Sequence, residues 1–157
     1  MADATIESRL ASLASTAQTL NKNSDSVNAL LEKIEKRLVD ANVGFEIWVP
    51  QPLSRREAEK EAGAENIAFE RRFGFARVFG RWCLAVKEVK TRFGFFEGDT
   101  SCPWSDEHLE KEPIPLEQAG RDERIMALQL IPALLEALEL KAKEAIQTIA
   151  EAKRLGY

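Results

Sequence analysis

The chain is poor in the residues on which most enzymatic chemistry rests. Its 157 residues hold one histidine, His108, and two cysteines, Cys83 and Cys102. One imidazole does not exclude a catalytic triad by number, but no GxSxG or comparable nucleophile signature surrounds any serine. The cysteines lack CxxC spacing, which fits a reducing compartment. Cys102 and His108, with Asp106 close by, match no known zinc spacing. Asp99, Asp106 and Glu107 read as an acidic loop rather than an acid–base pair, with Pro103 and Trp104 pinning that loop onto the rest of the molecule. The glycines at 74, 80, 94 and 98 form no phosphate-cradling loop. No apolar run approaches the roughly 18 residues of a membrane span, and the opening "MADATIESRL" has no signal-peptide apolar region. The expectation is a cytoplasmic protein, not an enzyme, with no cofactor, no metal and no membrane partner.

Charge is present but unevenly placed. The formal net charge is −4, so the molecule as a whole is not drawn to phosphate. Residues 71–92 nevertheless carry seven basic groups against Glu88 alone. With 45% apolar and 31% charged residues, the composition is that of an ordinary folded domain, and the length suits a single one, 1–157.

The clearest periodicity lies in residues 1–43. Leu10, Leu13, Ala17, Leu20, Ser24, Val27, Leu31, Ile34 and Leu38 alternate in steps of three and four. Sustained over roughly five heptads, that spacing is a coiled-coil seam. "NKNSDS" at 21–26 is a poor helix former, yet the register crosses it unbroken, which predicts one helix, bent there if anywhere. Gly44 is the expected C-terminal stop. Residues 121–157 mirror this with a wide apolar stripe through Ala127, Ile131, Leu134 and Leu138. Pro132 is expected to kink that helix or to mark its start.

Between the helices lie β signals, expected to form a head over 44–97. "GFEIWV" reads as a short strand ended by Pro50 and Pro52. Residues 53–66 read as a polar helical or mobile excursion, and 98–120 as a loop-rich connection with a short helix after Ser105. "RRFGFARVFGRWCLAVKEVKTRF" (71–93) reads as a hairpin turning at Gly80-Arg81 in a type II′ turn. That turn pairs Phe79 with Trp82, Phe75 with Val86 and Phe73 with Glu88, and expects Phe75, Phe79 and Trp82 to be buried. No internal repeat stands out.

The fold class expected is therefore α+β. Two long helices pair as an antiparallel coiled-coil-like stalk, with a small antiparallel β-sheet head inserted between them. That plan resembles prefoldin subunits, which are coiled coils carrying β-hairpins; the resemblance implies architecture alone.

Two functions compete. The first is a non-catalytic interaction or assembly protein acting through coiled-coil contacts. It would be a homo-oligomer, with a dimer favoured, and would hold a further protein partner. Its oligomer seam would be Leu10, Leu13, Leu20, Val27, Leu31, Ile34 and Leu38. The second is a single-stranded nucleic-acid-binding module. Arg71, Phe73, Gly74 and Phe75 match part of the aromatic–basic strand pattern of RNA-recognition motifs. Aromatics there would stack bases while Arg71, Arg72, Arg77, Arg81, Lys87 and Lys90 contact phosphate. Burial of the aromatics in a core favours the first.

Overall fold

The structure, a computed structural model, describes residues 2–58, 66–96 and 98–156. Two long helices, α1 (Ala2–Asp40) and α2 (Arg121–Arg154), flank an antiparallel sheet. Its four strands are β1 (Ile47–Glu57), β2 (Asn66–Val78), β3 (Arg81–Phe96) and β4 (Asp99–Pro115), in the order β1-β2-β3-β4. A one-turn 3₁₀ helix, Leu116–Gln118, leads from β4 into α2. The fold is α+β, as the two helical patterns and the central β signals require. No described helix is long and apolar enough to cross a membrane.

α1 is continuous through residues 21–26. It ends earlier than Gly44: Asn42, at φ 49°, takes the left-handed turn, and its N–H bonds to Val39 O at 3.0 Å. Asparagine tolerates that conformation better than most residues. α2 runs unbroken through Pro132, which is neither its start nor its end. Gly120 N–H donates to the Glu123 side chain at 3.0 Å, satisfying one of the free donors at the helix start.

The strands depart further from expectation. β1 continues past Pro50 and Pro52 to Glu57, so residues 53–57 are strand rather than excursion; 59–65 lie outside the described residues. The prolines are tolerated because β1 is an edge strand and its pairing with β2 shifts register on both sides of Pro52, where a missing donor costs no ladder bond. Residues 99–115, expected as loop and helix, form the other edge strand, paired to β3 along its length. Pro103 and the charges of "SDEHLEKE" suit an edge, where they discourage pairing with another chain.

The β2–β3 hairpin turns one residue earlier than expected, at Phe79-Gly80. Both residues have positive φ, 50° and 82°, the signature of a type I′ turn. Phe75 therefore pairs with Leu84 and Phe73 with Val86. Moving the turn by one residue shifts each pairing by two positions, so every side chain keeps its face. Phe73, Phe75, Leu84 and Val86 lie in the core as one face, joined by Val49 and Leu53 of β1. Trp82 is half-buried and stacks on Phe75, with centroids 5.5 Å apart. Phe79 does not join them. It sits in the turn and is 81% exposed.

Only parts of the helices reach this core. Leu31 and Leu38 of α1, and Ala127, Leu130, Ile131, Leu134 and Leu138 of α2, are buried against the sheet. Asn21 Oδ1 accepts from Arg121 Nη2 at 3.0 Å, so the first turn of α2 lies beside the middle of α1. An antiparallel stalk would place that turn beside the last turn of α1. Coiled-coil pairing along the full helices is not seen among the described residues. Leu10 and Leu13 of α1 and Ile146 and Ile149 of α2 remain exposed.

Candidate functional site

The seam expected from periodicity divides in two. Leu31 and Leu38 are buried in the chain's own core, and Val27 and Ile34 pack against it. Leu10, Leu13 and Leu20 stay exposed on the outer half of α1. Periodicity marks where apolar groups repeat, but not which of them the same chain covers. Among the apolar positions left open are these three with Ile6, and on α2 Leu140, Ile146 and Ile149. Ser24 marks the boundary on α1. It is buried, and its Oγ has no hydrogen-bond partner among the described residues.

The basic candidates are mostly engaged by neighbours. Arg71 grips Glu123 of α2 with two hydrogen bonds, Nε to Oε1 at 2.6 Å and Nη2 to Oε2 at 3.1 Å. That bond raises the pKa of Arg71 against the opposing effect of burial. On Glu123, burial pushes the carboxyl up, but Arg71 and the Gly120 N–H together hold it below its ordinary value. Arg72 bonds to Glu70 at 2.8 Å and to Glu107 of β4, while Arg55 reaches Glu70 at 2.9 Å. This network crosses the sheet face turned away from the helices. Arg81 pairs with Glu117 at 2.7 Å, and Arg77 Nε donates to Gly80 O at 3.1 Å. Lys87 sits 4.4 Å above the Trp48 ring, and burial there lowers its pKa. Lys90 likewise lies near a ring, with Nζ 5.9 Å from the centre of Phe69.

The acidic and thiol candidates do not converge. β4 is extended, so Cys102 and His108 stand about 20 Å apart at ~3.3 Å per residue. His108 Nε2 contacts Asp106 at 2.7 Å, and Asp106 also reaches Arg92 at 3.4 Å. Cys83 is buried and free, its thiol pushed up to about 11 by burial and then by the Glu35 carboxylate. A thiol held protonated is a poor nucleophile.

A groove runs between the last turns of α1 and the hairpin. One part, about 320 Å³, is lined by Leu31, Leu84, Leu116 and Arg124. A neighbouring part, about 550 Å³, is lined by Lys36, Arg81 and Trp82, and both share Glu32 and Glu35. Glu35 Oε2 accepts the Leu84 N–H at 2.9 Å, just where the β3–β4 ladder has stopped at Ala85 and Pro115. Burial raises the pKa of this carboxyl, and the Leu84 N–H offsets part of the rise.

A four-residue repeat escaped the sequence reading. Arg72-Phe73-Gly74-Phe75 recurs as Arg92-Phe93-Gly94-Phe95. Each glycine lies opposite a tryptophan of the neighbouring edge strand, Gly74 with Trp48 and Gly94 with Trp104. A Cβ on Gly74 would meet the Trp48 ring at 2.6 Å, and one on Gly94 the Trp104 ring at 3.1 Å. The glycines let each indole lie close against the neighbouring strand. No family model, no curated protein and no solved structure matches the chain.

Proposed function

We propose that this is a non-catalytic assembly protein whose outer helix halves associate with those of a second copy, giving a homodimer able to hold a further protein. The observation that carries this reading is the exposure of a continued apolar seam. Leu10 and Leu13 are 53% and 62% exposed, yet they keep the register of Leu31 and Leu38 in the core. Ile6, Leu10, Leu13 and Leu20 are about half exposed, so covering them on both copies is worth roughly 6–12 kcal/mol gross, about half of the 1.5–3 kcal/mol per fully buried side chain. Association costs about 4–15 kcal/mol in lost freedom, a cost of the same order, which the open positions of α2 help to offset. Charge does not oppose it: residues 1–43 carry five basic and six acidic groups. The ion pairs of Arg71, Arg72 and Arg81 support this reading over phosphate binding by the hairpin 71–92, because they engage three of its six candidate cations.

The test is sedimentation or light scattering of the wild type beside Leu10→Glu/Leu13→Glu. Both side chains are exposed in the single chain, so the variant is expected to fold with unchanged helical content while losing self-association. A variant that stays associated argues against the seam.

A further inference from the structure

We propose that the open half of the sheet binds single-stranded nucleic acid along a row of side chains crossing all four strands. The row is Arg56, Phe69, Lys90 and His108. The ladder sets Arg56 opposite Phe69, Phe69 opposite Lys90, and Lys90 opposite His108. By strand alternation it lies on the same face as Arg71 and Phe73, one step beyond the point where Glu123 brings α2 onto the sheet.

Two features mark this row as a ligand surface rather than a core edge. First, its cations are not neutralised. Arg56 lies over Phe69 with its guanidinium carbon 4.5 Å from the ring centre, and Lys90 approaches the same ring. Neither has a carboxylate partner among the described residues. The carboxylates of Glu70 and Glu107 serve Arg55 and Arg72 on the opposite face. The next row holds Arg92, already paired with Asp106, which also contacts His108, so the open positive charge of this surface comes from Arg56 and Lys90.

Second, the row has an aromatic counterpart. Trp104 lies against Gly94 two rows further on and is half-exposed, as Phe69 is. Two strand spacings and four residues separate Phe69 from Trp104, about 16 Å by strand geometry. That span suits a strand of a few nucleotides, with bases stacking on the rings and phosphates meeting Arg56 and Lys90. A duplex hides its bases from such a surface.

Fluorescence anisotropy of labelled twelve-nucleotide dT and U strands, at 50 and 200 mM salt, tests this. Saturable binding is expected. With two phosphate contacts, the fourfold rise in salt should weaken it about sevenfold, from a slope of ~0.7 per contact. Arg56→Ala/Lys90→Ala should weaken binding tenfold or more and flatten the salt dependence. Trp104→Ala should weaken it roughly tenfold, and Trp104→Phe should restore most of it. Arg77→Ala/Arg81→Ala at the hairpin tip should leave it unchanged. All these positions are exposed or half-exposed, and circular dichroism confirms folding; Arg56→Gln/Lys90→Gln replaces the alanine pair if that pair does not fold. No binding at 100 μM protein in 50 mM salt overturns the proposal. So does equal affinity for duplex, or binding that survives the row variants and is lost with the tip variants.

Discussion

Gly74→Ala is the substitution whose cost the structure defines most sharply. A methyl group at this position would sit 2.3 Å from Ile47 O and 2.6 Å from Cε3 of Trp48. Contacts under 3 Å require something to move. The carbonyl belongs to the backbone of β1, and that strand is held on both sides of the contact by pairing of Ile47 with Phe75 and Trp48 with Gly74. Relief therefore means separating β1 from β2 where the core is tightest, beside Val49 and Phe75. Overpacking of this kind costs about 1–3 kcal/mol, and the better strand propensity of alanine returns at most ~1 kcal/mol. A net cost near ~1 kcal/mol corresponds to a melting temperature lower by about 2–4 °C in a domain of this size. Gly94→Ala is the internal control. Its Cβ would meet only the Trp104 side chain, at 3.1–3.2 Å, and a side chain can yield a few tenths of an ångström. With no backbone clash to offset the propensity gain, Gly94→Ala is expected to be neutral or slightly stabilising. Urea denaturation of the two variants, followed by far-ultraviolet circular dichroism, measures the difference. Equal stability of both with the wild type would refute the reasoning and show that β1 is free to shift at its bulge.

Three further outcomes follow from single residues. Phe79→Asn should stabilise by about 1 kcal/mol, because Phe79 holds φ 50° while 81% exposed and asparagine before glycine suits this turn; thermal denaturation reads it. Ser24→Ala should raise stability by about 1 kcal/mol, since it removes a buried hydroxyl with no partner among the described residues and improves helix propensity; a loss in urea denaturation would mean that the hydroxyl is satisfied. Glu35→Gln keeps an acceptor for the Leu84 N–H while removing a charge that burial disfavours. With the folded pKa of Glu35 raised, its contribution is fully present below the unfolded value near 4.3 and is lost as pH rises through the folded value. The variant should therefore melt higher than the wild type at pH 7, with the gap closing toward pH 4, and a gap that widens on acidification would reverse the sign.

Both helices were legible because a 3–4 apolar repeat survives whatever packs against it. The faces of the β2–β3 hairpin were legible for a similar reason: alternation fixes the face of each residue, and a two-position slip leaves it unchanged. The register was not, because Phe79 in a left-handed turn runs against its own preference, and Gly80 served equally well as the first or second turn residue. β4 was hidden by its composition. Pro103, Asp106, Glu107 and Glu110 belong to an edge strand that pairs on one side only, where low strand propensity is tolerated. The row Arg56–Phe69–Lys90–His108 was invisible for a related reason. Its members come from four strands, and Arg56 and His108 lie in segments that sequence alone assigned to excursion and loop. The basic cluster 71–92 was visible as composition, but only the tertiary structure brings Glu107, Glu117 and Glu123 to its arginines.

The most direct measurement of assembly through the helix halves is light scattering of the purified chain from 1 to 100 μM. A dimer at twice the 17.6 kDa chain mass, returning to single-chain mass in Leu10→Glu/Leu13→Glu with its helical signal intact, is the predicted result. A wild-type chain that remains at 17.6 kDa across the whole range would contradict it.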